Sequence, residues 1–175
     1  FKMRKSGVKF WGSKCQGNFQ DYFKLWPDSK IIYMMRNGLD ILSSQKTNGN
    51  FNPDPHQLGK NWIKHYQNFV KYHDQNFDQF ILVQYEKLVT EPESSAKQIC
   101  EQLGIRFHLD MINQHKKKNT LVENPRGQLS AKRIQQPIDS TSINKWRNTL
   151  TEKEIDLFLK GCGGITKLNS LGYNI

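Results

Sequence analysis

Apolar positions fall into short runs and helical stripes, and their order predicts strands alternating with helices. Residues 31–35, IIYMM, form an unbroken apolar run that predicts a strand buried on both faces. Arg36, Asn37 and Gly38 break the run. Leu39, Leu42 and Ser43 then begin a helical period that extends to about Thr47, with Asn37 as its cap. Upstream, residues 8–11 read as another brief strand, and Phe19, Phe23 and Trp26 share one face of a helix over residues 17–26 that Pro27 and Asp28 end. Residues 48–55, rich in Asn, Gly and Pro, read as a loop and a candidate lid. From His56 to about His73, Leu58, Trp62, Tyr66, Phe69 and Tyr72 recur every three to four residues, giving one long amphipathic helix with Trp62 in the core. Residues 80–84 form a third strand, with Tyr85, Glu86, Leu88 and Val89 at its exit. Thr90 as N-cap, Pro92 in the first turn and acidic neighbours then open a helix that carries Ala96, Ile99, Cys100 and Leu103 inward and stops at Gly104.

This alternation predicts a three-layer α/β domain, a parallel sheet flanked by helices with right-handed crossovers. Three strands are few for a doubly wound sheet. With a start at Phe1 rather than Met, residues 1–175 read as a single domain representing the C-terminal portion of a larger one. In the last third, residues 116–133 are polar and contain Pro125 and Gly127, which predicts a segment wrapping the surface. Residues 140–148 and 151–162 read as two helices, the second opened by a Thr151/Glu154 capping box. Gly161, Gly163 and Gly164 interrupt that helix without matching a phosphate loop, since no strand precedes them and no Lys-Ser/Thr follows.

Composition adds a partner class. With 26 Lys and Arg against 16 Asp and Glu, the net charge of +10 points to polyanionic partners. The basic residues are scattered and no aromatic-interleaved nucleic-acid motif accompanies them, so no specific nucleic acid is expected. No apolar run reaches membrane-spanning length. Cys15, Cys100 and Cys162 form neither a disulfide framework nor a metal motif, the five histidines show no ligand spacing, and no metal is expected.

Candidate chemistry centres on residues 30–44. The first N–H groups of a helix lack partners within it, so that end favours an anion. Arg36, placed where strand becomes helix, adds a planar fork of donors suited to phosphate, and Ser44 adds a hydroxyl about two turns along. Two readings stand: a phosphate clamp, or a buried strand whose arginine pairs with a carboxylate. Lys14, at the C-terminal end of the first strand, is either a neutraliser of phosphate or sulfate oxygens or a plain surface lysine.

Four blocks in order resemble the sulfotransferase family: WGSK at 11–14, WPDSKIIYMMRNGLDILSS at 26–44, ILVQYEKLVTEPESSAKQICEQLGI at 81–105, and RIQQPIDSTSINKWRNTLTEKEI at 133–155 with LGY at 171–173. The last block looks most like the protein-tyrosine sulfotransferase or a related bacterial branch. The resemblance implies the P-loop-NTPase-like sulfotransferase fold, lacking its N-terminal phosphate loop, and transfer of a sulfuryl group from 3′-phosphoadenosine 5′-phosphosulfate to a hydroxyl. The acceptor is left open among a protein tyrosine, a carbohydrate and a small alcohol. By the same resemblance Arg36 and Ser44 bind the 3′-phosphate, Lys14 lies near the transferred group, and Ser130 lies close to the nucleotide. Gln136 departs from the family, where a lysine is common before that proline. No general base is assigned. Compartment stays open between cytoplasm, for a bacterial protein, and Golgi, for a eukaryotic one, and oligomeric state is also open. Two competing classes remain: a non-catalytic module binding polyanions or nucleotides, and another phosphate-loop enzyme such as a small-molecule kinase.

Overall fold

Two parallel strands, β1 (Ile31–Met35) and β2 (Phe80–Gln84), pair in register from Ile31 opposite Phe80 to Met35 opposite Gln84. They come from a computed structural model that describes residues 10, 12–14, 19–47, 52–75, 77–116 and 136–173. In chain order the helices are α1 (Phe19–Leu25), α2 (Gly38–Thr47), α3 (Pro55–Gln75), α4 (Tyr85–Thr90), α5 (Pro92–Leu103), α6 (Glu152–Cys162) and α7 (Ile165–Ser170). The result is an α/β arrangement in which a parallel sheet is flanked by helices. On one face Tyr33 stacks on Phe69 of α3 with ring centroids 4.7 Å apart, and Phe80 meets the same ring edge-on. On the other, Ile81 and Val83 face Ser95 and Ile99 of α5 across a shallow groove.

The strand at 31–35 forms as expected, but it is not buried on both faces. Ile31 and Met35 are buried, whereas Ile32 and Met34 are 46% and 49% exposed. A helix covers that face only beside β2, so apolar content alone overstated the cover. The strand expected at 8–11 falls largely outside the described residues; Phe10 is described and exposed.

Most of the core lies between α2, α3 and α6. Met35, Leu39, Leu42, Trp62, Trp146 and Phe158 are buried together there. Helices α3 and α6 approach closely because Gly59 and Gly161 leave no side chain between their backbones. Asp54 caps α3, accepting from the amides of His56 and Gln57 at 2.9 and 3.2 Å.

Helix ends agree with the sequence at Gly104, a left-handed C-cap at φ 68°, and at the Thr151/Glu154 capping box. Thr90 is not the N-cap of α5. It ends α4 and its hydroxyl donates back to the Glu86 carbonyl at 2.9 Å, leaving Glu91 as the cap, whose carboxylate accepts from the Ser94 hydroxyl at 3.2 Å rather than from a backbone amide of the helix. The helix expected over 140–148 is instead a turn and a 3-10 segment, Lys145–Asn148. Gly161 lies within α6, and Gly163 and Gly164 separate it from α7. No helix among the described residues is long and apolar enough to cross a membrane.

Candidate functional site

At the C-terminal end of β1 the chain turns directly into α2, so Arg36 and Asn37 occupy the sheet edge beside a helix N-terminus. Asn37 is the cap that its residue type predicts. Its Oδ1 accepts from the Leu39 amide at 2.9 Å, while its carbonyl accepts from Ile41 at 3.1 Å. The Arg36 guanidinium lies over the Tyr85 ring, 4.6 Å from its centroid, and one Nη donates to the Ser142 carbonyl at 2.8 Å. Its charge therefore meets a ring and a carbonyl rather than a carboxylate among the described residues. Among the described residues Arg36 Nε is buried without a partner, so a charged donor remains uncommitted in the turn. That feature fits an anionic group such as a phosphate.

Ser44 is half-buried on α2, seven residues beyond the cap. Seven residues are roughly two turns and 10 Å of rise, which returns Ser44 to nearly the same side of the helix as Asn37. Lys14 is exposed in a segment without regular structure. Ser130 lies outside the described residues. The structure thus brings Arg36 and Ser44 onto one strand-turn-helix.

Several neighbours escaped the sequence reading. Asp40, 1% exposed, accepts from the backbone amides of Asn144 and Trp146 at 2.9 and 3.1 Å. Thr149 donates to Ser43 Oγ at 2.7 Å, and Lys46 reaches the Thr149 carbonyl and Glu154. Through these contacts residues 144–154 are fastened along α2. The Trp62 indole donates to the Arg36 carbonyl at 2.9 Å, and Glu86 Oε1 accepts from the Asn37 amide at 2.8 Å. Beside them Tyr173 is 6% exposed, with its ring edge-on to Trp62 at 5.6 Å. Burial first, then the Glu86 carboxylate and Tyr66, raise the Tyr173 hydroxyl above its ordinary range. Tyr85 and Glu86 were legible only as the exit of a strand, because their partners lie on other elements.

A cavity of about 380 Å³ opens between α2 and α3, lined by Ile41, Gln45, Asp54, Leu58, Trp62 and His65. Pro53 and Asp54, the described end of the expected lid, border it. Among the described residues no group of three or more His, Cys, Asp or Glu is arranged to hold a metal ion.

Comparison with known proteins agrees with the fold. The family profile described as "Sulfotransferase family" matches residues 4–109. A Caenorhabditis briggsae protein named "Putative protein-tyrosine sulfotransferase" is 22% identical over 134 residues, which cover 74% of this chain and 48% of that protein. Among solved structures, the sulfotransferase domain from the Synechococcus PCC 7002 olefin synthase superposes with a TM-score of 0.62 at 20% identity, covering 83% of this chain and 50% of that one. The sulfotransferase domain from the curacin biosynthetic pathway does so with a TM-score of 0.55 at 19% identity, covering 84% and 54%. The chain spans about half the length of these relatives. With more than half of its residues inside the matched profile, the chain belongs to the sulfotransferase family.

Proposed function

We propose that the chain holds the donor nucleotide of a sulfotransferase that moves a sulfuryl group from 3′-phosphoadenosine 5′-phosphosulfate to a hydroxyl acceptor. Arg36 and Ser44 hold the 3′-phosphate, Ser130 lies near the nucleotide, and Lys14 neutralises charge near the group transferred. The observation that carries this reading is the turn after β1, where an arginine with a buried uncommitted Nε stands beside a capped helix N-terminus.

When bound, the donor supplies a sulfuryl group on a phosphate leaving group. The residues of the chain bind and orient. Arg36 offers a fixed fork of donors, Ser44 a hydroxyl, and the first turn of α2 its partial positive charge, so together they set the position of the nucleotide. Lys14, an exposed ammonium, neutralises negative charge on the oxygens of the transferring group. Group transfer of this kind depends mainly on placement and charge neutralisation, which such residues provide. The acceptor class remains a protein tyrosine, a carbohydrate or a small alcohol, and the likeness to a protein bearing the tyrosine-sulfotransferase name favours the first.

Calorimetric titration with adenosine 3′,5′-bisphosphate tests the clamp. Arg36→Ala is expected to weaken binding by about 1.5–3 kcal/mol, the worth of one charged hydrogen-bonding group. Equal affinity for variant and unmutated chain overturns the assignment. Steeply salt-dependent heparin binding without nucleotide competition would point instead to a polyanion-binding module.

A further inference from the structure

The Arg36 carbonyl and the Asn37 amide belong to one peptide group, and both of its polar atoms are held by side chains from other elements. Trp62 Nε1 of α3 donates to the carbonyl at 2.9 Å. Glu86 Oε1 of α4 accepts from the amide at 2.8 Å. A peptide gripped at both ends cannot rotate about its flanking bonds without losing one of them. Its orientation fixes where the Arg36 side chain leaves the strand and where the Asn37 cap begins α2.

We infer that Glu86 is a positioning residue for the anion clamp: by holding the Asn37 amide against the pull of Trp62 on the Arg36 carbonyl, it locks the turn that presents Arg36. The inference rests on the clamp proposed above. Glu86 is not placed to take a proton from an acceptor, because its second oxygen is buried and Oε1 is engaged by Asn37. Tyr173 closes the same region, ring against Trp62, and its buried hydroxyl has no hydrogen-bond partner among the described residues. A carboxylate near an anion site opposes binding by charge. Its presence there makes sense when its acceptor geometry is what the site uses.

Two variants separate these contributions. Glu86→Gln keeps an oxygen that accepts from Asn37 and removes the charge, whereas Glu86→Ala removes the acceptor. With folding verified by circular dichroism, Glu86→Ala is expected to weaken adenosine 3′,5′-bisphosphate binding about tenfold, and Glu86→Gln to restore most of that loss. Hydrogen exchange at the Asn37 amide, followed without nucleotide, is expected to accelerate in Glu86→Ala and to stay slow in Glu86→Gln. A purely structural role would give equal losses in both variants. Tighter binding in both would show that charge repulsion outweighs positioning. Either result overturns the inference, as does unmutated affinity in Glu86→Ala while Arg36→Ala weakens binding. If Arg36→Ala leaves affinity unchanged, the clamp reading itself falls. The exchange rate of the Asn37 amide then still decides whether Glu86 locks the turn.

Discussion

Gly161 of α6 faces the backbone carbonyl of His56 at the start of α3, so close that a Cβ built there would sit 3.0 Å from the carbonyl carbon and nearer still to its oxygen. Alanine at this position gains about 1 kcal/mol of helix propensity. Against that stands a collision with backbone, which no rotamer change relieves and which costs on the order of 1–3 kcal/mol. Gly161→Ala is expected to be net destabilising, with a lower urea midpoint and an unchanged slope.

Asp40 is the buried carboxylate that secures residues 144–146 to α2. Asp40→Ala leaves two backbone amides without their acceptor, at about 1–3 kcal/mol each. A loss of roughly 3 kcal/mol is expected in urea denaturation. The emission of Trp146, which is 4% exposed, should shift to the red as its segment loosens. Asp40→Asn, which keeps one acceptor, should fall between.

The contact between Lys46 and Glu154 gives stability a pH dependence. The Lys46 hydrogen bond first, then the Thr151 amide, lower the Glu154 carboxyl from 4.5 to about 2. Because the folded value lies below the unfolded one, the contribution is present above pH 4.5 and disappears as pH falls toward 2. The pair is partly solvated, so the effect should be less than about 1 kcal/mol. Glu154→Gln is expected to be less stable than the unmutated chain at pH 7 and equal to it near pH 2, as measured by thermal unfolding across that range.

Arg36→Lys separates charge from geometry at the clamp. Lysine keeps the positive charge but cannot reproduce a planar guanidinium lying over Tyr85 while donating to Ser142. Nucleotide affinity is expected to recover only in part relative to Arg36→Ala, remaining about 1 kcal/mol weaker than the unmutated chain by calorimetry.

What the sequence made legible was local. The Asn37 cap, the Gly104 stop and the Thr151/Glu154 box each depend on atoms a few residues apart, and each is found where residue type predicts it. The helix expected over 140–148 fails for a non-local reason. Asp40 takes the amides of Asn144 and Trp146, and Asn144 adopts a left-handed φ of 57°. A period count over that segment has no access to Asp40. Helix α4 was missed because YEKLVT mixes aromatic, β-branched and charged residues and spans only six positions. At the site, Arg36 was visible from its place between strand and helix. The Tyr85, Trp62 and Glu86 contacts that hold its turn were not, since each reaches it from another element.

The bonds from Asp40 to Asn144 and Trp146 span 104 and 106 positions of sequence. Closing a loop that long carries an entropic cost before the contact forms, which places it late in folding. During synthesis, β1 and α2 emerge well before the segment that satisfies Asp40. The segments of the clamp are thus synthesised early, while the amides that seat Asp40 come from residues 144 and 146.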